Sequence, residues 1–297
     1  MIIETWGELV ARLDTALAFA KDDLGLDIAG ARFGTYRTRI AMLEAIRVEK
    51  GDAAAFEHFR SDIEPNAVAF SESQELTMVV PFLRSVPPDR AKKKLQVVLN
   101  GPDLPSDEDA NSSHARNTMF ELNLAARLQR AGLSVDISGD ADLDFTCAGL
   151  QWFGECKRPY KIETIEKNMS TACEQLGKRL SGSRLAARGL LAISISRPLS
   201  TRALYLEYTS EAERRASLEE HVGNMVRVMQ QQMEAMKRCQ ETRGSLGLLI
   251  AHLIMPGWNV RRRMPVGIQY SAGTDIGVDG RGDGQRLWDI IGRTFTP

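Results

Sequence analysis

Apolar residues recur every three to four positions over residues 6–20 and again over 36–48, the spacing that lines one face of an amphipathic helix, and Gly25, Gly30 and Gly51 punctuate them. Residues 1–100 are therefore expected to form a mainly helical N-terminal region. Within it, residues 76–83 are almost continuously apolar and read as a strand, which Pro87-Pro88 and the basic Lys92-Lys93-Lys94 would end in a turn. Residues 100–113 concentrate Gly, Pro, Asp, Ser and Asn, predicting a long surface loop at a boundary before a second region, residues 113–297.

After that loop the pattern becomes regular. It predicts a helix over 118–131, strands over 133–137, 142–147 and 151–157 with a tight hairpin at Ala148-Gly149, a helix over 162–180, and a strand over 190–195. Ile162, Ile165, Met169, Ala172, Cys173, Leu176 and Leu180 share one face of the second helix. The order helix, three strands, helix, strand places the chain in the α/β class. A long C-terminal helix is expected over 211–243, where Leu218, Val222, Met225, Met229, Met233 and Met236 form a stripe read as core packing, with Gly244 as its cap. Residues 246–255 read as a buried strand, too short for the ~20 residues that span a bilayer. The glycine-rich tail reads as turns and short strands, and Arg281-Gly282-Asp283 as incidental.

Composition narrows the class only a little. A 297-residue chain with 43% hydrophobic and 26% charged residues can bury a substantial core and is not disordered. With a formal net charge of -1, any nucleic-acid partner must be held by local basic patches. Cys147, Cys156, Cys173 and Cys239 form no CxxC pair, which argues against a zinc framework and fits a reducing cytoplasm. Glu4, Glu8 and Arg12 interrupt the apolar N-terminal positions, so a helix is expected there and not a signal sequence.

The chemistry concentrates on the third strand. Alternate side chains share one face of a strand, so Glu155 and Lys157 point the same way while Gly154 and Cys156 point the other. The hairpin sets Asp144 or Asp142 opposite Glu155; Asp144 is preferred because the apolar Phe145 continues the strand after it, and Asp142 stays open. Two converging carboxylates favour a cation between them, and hard oxygen donors with room for water suit Mg²⁺ or Mn²⁺. Such an ion assists phosphodiester hydrolysis, with Lys157 orienting the water, helping to deprotonate it, or offsetting charge on the phosphate.

Phe120-Glu121 in the first helix, Asp144, and Glu155-Cys156-Lys157-Arg158-Pro159 together resemble the PD-(D/E)XK, or restriction-endonuclease-like, nuclease superfamily over residues 113–197. The resemblance implies a restriction-endonuclease-like αβββαβ core. In it Asp144 and Glu155 bind metal, Lys157 acts on the water, and Glu121 assists the metal or its waters. The chain departs from the pattern in having no Pro before the Asp, and in carrying Arg179, not Tyr, four residues after Gln175.

Each residue also has a plainer reading. Thr118 to Glu121 fits a helix capping box, and Glu155 with Lys157 fits a salt bridge on a solvated sheet face. Trp152 and Phe153 project to opposite faces, however, so both sides of the strand are expected to be covered, and a covered charged pair calls for a purpose. Arg158, Lys161, Gln175, Lys178 and Arg179, with Arg184 and Arg188, are candidate nucleic-acid contacts on a basic rim, and Arg261-Arg262-Arg263 a second patch. His114 is read as simply exposed. The expectation is a cytoplasmic, non-membrane endo- or exodeoxyribonuclease, DNA favoured over RNA, in genome defence or DNA processing, as a homodimer or with a protein partner. The alternatives are a nuclease-like module that binds nucleic acid or waits for a partner, and a small-phosphoester hydrolase.

Overall fold

The structure is a computed structural model that describes residues 2–3, 5–108, 113–139, 141–183, 186–196, 206–208, 210–231, 246–259, 264–275 and 282–295. The chain is α/β and divides into two compact units. The first comprises residues 1–119, 202–219 and 254–268; the second comprises 120–201, 220–253 and 269–297. The expected boundary lay in the loop 100–113, with one continuous region on each side. The chain instead crosses between units several times, a pattern that a linear reading of composition does not register.

The first unit is built around α1 (Trp6–Ala18), α2 (Arg32–Lys50), α3 (Asp52–Ser61), α4 (Ile63–Leu83) and α5 (Pro88–Leu99). Thr5 opens α1 with a capping box to Glu8, closing two otherwise orphaned donors. Residues 76–83, expected as a strand, form the last turns of α4. That helix buries side chains all the way round, from Asn66 to Leu83, with Pro81 inside it. A continuous apolar run cannot by itself distinguish a buried helix from a buried strand. Pro88 likewise does not end a strand but starts α5, where its missing N–H costs nothing, so Lys92, Lys93 and Lys94 are helical. In the same unit β1 (Ile2–Ile3) pairs antiparallel with β8 (Met264–Asp275) at Val266 and Gly267. The strand β6 (Leu206–Tyr208) pairs parallel with β7 (Leu246–Asn259) at 257–259.

The unit also buries a charged cluster that sequence periodicity does not reveal. Arg116, near the start of α6 (His114–Arg130), donates to Glu72 on α4 and, at 2.8 Å, to Glu108; it also reaches the Tyr36 hydroxyl at 3.2 Å and the Asp103 carbonyl at 2.8 Å. Arg32 pairs with Glu72 at 3.2 Å. Two guanidinium groups thus neutralise two carboxylates out of contact with water, which buried charge requires.

The second unit carries a mixed sheet in the order β7-β5-β4-β3-β2. Its strands β2 (Val135–Asp136), β3 (Leu143–Cys147) and β4 (Leu150–Lys157) are antiparallel neighbours, and β5 (Ala187–Ser194) lies parallel to both β4 and β7. The parallel β4–β5 pair needs a crossover, which α7 (Ile165–Gly182) provides. The expected order of helix, three strands, helix and strand is therefore present. Ala148 and Gly149 make the β3–β4 turn, both with positive φ (52° and 78°). Phe145 stacks on its cross-strand partner Trp152 with ring centroids 6.2 Å apart. Gly154 sits close against β3, where a Cβ would meet the Leu143 side chain at a tight 3.0 Å.

The C-terminal helix α8 spans Glu211–Gln231, with Met225 and Met229 buried as core; Met233, Met236 and Gly244 lie outside the described residues, as does Arg261-Arg262-Arg263. The tail, expected as turns and short strands, contains the twelve-residue β8 and the helix α9 (Asp283–Phe295), which buries Leu287 and Ile291. Asp283 is held by Arg188 at 2.8 Å. Cys147 and Cys156 carry free thiols, whereas Cys173 is disulfide-bonded, which departs from the reading of the cysteines as those of a reducing compartment. Among the described residues no helix is long and apolar enough to cross a membrane.

Candidate active site

The site lies at the C-terminal end of β4, within the second unit. The antiparallel register pairs Leu143 with Gly154 and Asp144 with Phe153, so one step further the residue facing Glu155 is Asp142. Asp142 precedes β3, and its Oδ2 accepts the backbone N–H of Cys156 at 2.7 Å. That bond ties the Asp142 carboxylate to the strand end that carries Glu155 and Lys157. Asp144 lies on the same face of the hairpin but farther along, where its Oδ1 accepts from the Gln151 side-chain amide. Burial raises the Asp144 carboxyl above its usual range, an effect the Gln151 bond offsets in part. Of the two aspartates left open by the sequence, the register brings Asp142 to Glu155.

Glu155 is 1% exposed and is gripped by two cations. Lys157 Nζ donates to its Oε2 at 2.9 Å, and Arg179 NH1 on α7 donates to its Oε1 at 2.6 Å. Burial raises the Glu155 carboxyl, and the Asp142 charge raises it further; Lys157 and Arg179 pull it back down. The neighbouring Cys156 thiol is pushed well above its ordinary value by burial, with Asp142 and Glu121 adding to the effect. Glu121, half-buried on α6, therefore lies within electrostatic reach of the same strand end. Its capping-box reading does not hold, because α6 begins at His114 and Thr118 sits a full turn inside it.

The remaining predicted residues separate. Lys178 and Lys161 are exposed, and Lys161 lies over the Tyr160 ring, 5.9 Å from its centroid. Arg158 is half-buried directly after β4. Gln175 sits one turn before Arg179 on α7, and its buried Oε1 has no hydrogen-bond partner among the described residues. Arg188, expected on the basic rim, is instead at the opposite end of its strand, held by Asp283. Arg184 lies outside the described residues, and His114 is exposed as expected. The direct bond from Arg179 to Glu155 was not anticipated. Only the placement of Arg179 one turn after Gln175, on a helix that crosses back over the sheet, pointed toward it.

Among the described residues no group of three or more His, Cys, Asp and Glu side chains forms a metal cage. The donor set is two carboxylates, Asp142 and Glu155, that repel one another across the hairpin end. Hard oxygen donors of this kind fit a divalent cation such as Mg²⁺, which is held by one or two carboxylates and keeps most of its waters. No family model, no curated protein and no solved structure matches the chain.

Proposed function

We propose that the chain is a metal-dependent nuclease of the PD-(D/E)XK, restriction-endonuclease-like type, with β2, β3, β4, α6, α7 and β5 as its αβββαβ core, hydrolysing DNA in preference to RNA. The observation that carries this reading is the constellation at the end of β4. There a buried Glu155 is bonded to Lys157 two residues on, and an aspartate is fixed across the hairpin by the Cys156 N–H. A buried carboxylate beside a second carboxylate is costly unless cations compensate it, and carboxylates perturbed by burial and by a like charge concentrate at reaction centres.

In this reading Asp142 takes the ligand role that Asp144 would have had, Asp142 and Glu155 hold Mg²⁺ or Mn²⁺, and Glu121 assists from α6. When bound, the ion supplies Lewis-acid stabilisation of the negative charge that builds on the scissile phosphate. Lys157 directs its ammonium to the reacting phosphate, orienting the attacking water or offsetting charge. Arg158, Lys161 and Lys178 supply phosphate contacts beside the site, the kind that position a backbone without reading its sequence. Genome defence or DNA processing in the cytoplasm, as a homodimer or with a protein partner, is the setting proposed.

A second reading, a module silent until a partner engages it, is favoured by one observation. Both oxygens of Glu155 are already occupied by protein cations.

The test is cleavage of supercoiled plasmid, linear duplex, single-stranded DNA and RNA with Mg²⁺ or Mn²⁺ by the wild type, Glu155→Ala and Lys157→Ala. Metal-dependent cleavage lost in both variants supports the nuclease. Wild type that binds DNA but cuts no substrate supports the silent module.

A further inference from the structure

We infer that Arg179 is a positioning residue that makes metal and nucleic-acid binding interdependent, exchanging its bond to Glu155 for one to the backbone phosphate. The inference rests on the nuclease reading and adds to it a role for a side chain on α7. Asp142, Glu155 and Glu121 carry three negative formal charges and Lys157 and Arg179 two positive ones, so all but one of the carboxylate charges at this strand end are already compensated. A divalent ion entering alone leaves an uncompensated positive charge in a place where Glu155 is 1% exposed and screening is weak. The same ion entering together with a phosphodiester meets a new anion, and the guanidinium has a second partner to turn to.

Arg179 is suited to that exchange and Lys157 much less so. Lys157 shares the strand with Glu155, two residues away, and its ammonium is tethered to the same face. Arg179 comes from the crossover helix on a long side chain that keeps 19% of its surface exposed, so its head group has a path from the carboxylate to a phosphate bound beside it. A guanidinium also binds carboxylate and phosphate in equivalent planar, two-pronged fashion, which makes the two partners interchangeable. Linkage then requires reciprocity: whatever DNA does to metal affinity, metal does to DNA affinity by the same factor.

The test measures Mn²⁺ affinity by the loss of the free-ion electron paramagnetic resonance signal, with and without a short duplex carrying uncleavable phosphorothioate linkages. Wild type is expected to bind Mn²⁺ weakly alone and roughly tenfold more tightly with the duplex, a coupling within the usual range for linked sites. Arg179→Gln is expected to bind Mn²⁺ alone more tightly than wild type, with the coupling gone and cleavage reduced. Arg179→Lys, which keeps the charge, restores weak binding in the absence of duplex. Far-ultraviolet circular dichroism confirms that each variant is folded.

Unchanged or weaker Mn²⁺ affinity in folded Arg179→Gln, with wild type still cutting DNA, overturns the role of Arg179 alone. Should Arg179→Gln not fold, wild type and Arg179→Lys decide: equal Mn²⁺ affinity with and without duplex overturns the coupling. Wild type that neither binds Mn²⁺ nor cuts under any condition overturns the nuclease reading itself.

Discussion

Asp142 Oδ2 accepts the Cys156 N–H at 2.7 Å, so an aspartate outside the ladder of β3 is fixed by the backbone of the strand that carries Glu155. Asp144, inside the ladder, is bonded to Gln151 instead. The two aspartates are therefore expected to differ in consequence. Asp142→Asn should lower metal-dependent cleavage by about 100-fold or more, on the scale of the several kcal/mol that metal-borne charge stabilisation contributes. Asp144→Asn should stay within about threefold of wild type, since its amide can still pair with Gln151. Parallel kinetics on the two variants check this, and the opposite ranking would return the ligand role to Asp144.

Much of the second unit was legible because its signals are local. Period-two alternation, the Ala148-Gly149 turn and the apolar stripe of α7 each lie within a few residues, and they set the element order and the face shared by Glu155 and Lys157. The choice between Asp142 and Asp144 was not local. Both aspartates lie on one face by parity, and only the register resolves them. Arg179 joins Glu155 across 24 residues of chain, and Arg116 joins Glu72 across 44, separations at which a single sequence carries no pairing information. The helical nature of residues 76–83 is illegible for another reason. Burial on all sides erases the periodicity that marks a helix.

Because Glu155 has two cationic partners, losing one should be tolerated and losing both should not. Lys157→Ala leaves the Arg179 bond and should cost about 1 kcal/mol or less at neutral pH, as should Arg179→Ala. The double variant strands a carboxylate that is 1% exposed beside Asp142, and is expected to cost about 3–5 kcal/mol. Urea denaturation of the four proteins measures the excess over additivity. Simple additivity would mean that the two bonds do not share responsibility for the Glu155 charge.

The buried cluster of the first unit has a single hub. Arg116 reaches Glu72, Glu108, the Tyr36 hydroxyl and the Asp103 carbonyl, while Arg32 reaches Glu72 alone among the carboxylates. Arg116→Met should therefore destabilise by about 3–5 kcal/mol, chiefly by leaving Glu108 buried without its cation. Arg116→Lys should recover little, because one ammonium cannot span partners that a guanidinium fork reaches together. Thermal melts decide, and a Lys variant close to wild type would show that charge alone suffices.

Tyr36 gives that cluster an alkaline limit. Burial raises its hydroxyl pKa, and the Glu72 charge raises it further. A raised pKa means that the folded state holds the proton more tightly than the unfolded chain, where tyrosine titrates near pH 10. The associated stability is fully present below about pH 10 and is lost as pH rises beyond it. Tyr36→Phe removes hydrogen bonds worth about 1 kcal/mol at neutral pH but also removes the titration. The gap in unfolding free energy between wild type and Tyr36→Phe should accordingly narrow from pH 9 toward pH 11; a constant gap would show that the hydroxyl does not ionise on unfolding.

The β3–β4 hairpin holds the one non-glycine residue with positive φ among the described residues, Ala148 at 52°. A two-residue turn with both central positions left-handed twists in the sense of the flanking strands, but an alanine there carries a steric cost of roughly 1 kcal/mol. Asparagine tolerates this conformation, and Asn-Gly is the pair such turns prefer. Ala148→Asn should therefore raise the denaturation midpoint by an amount equivalent to about 0.5–1 kcal/mol. It should leave cleavage unchanged, because the turn lies at the opposite end of β4 from Glu155 and Lys157. Unchanged or lower stability would indicate that the turn relaxes into another geometry in solution, and with it the register that sets Asp142 opposite Glu155.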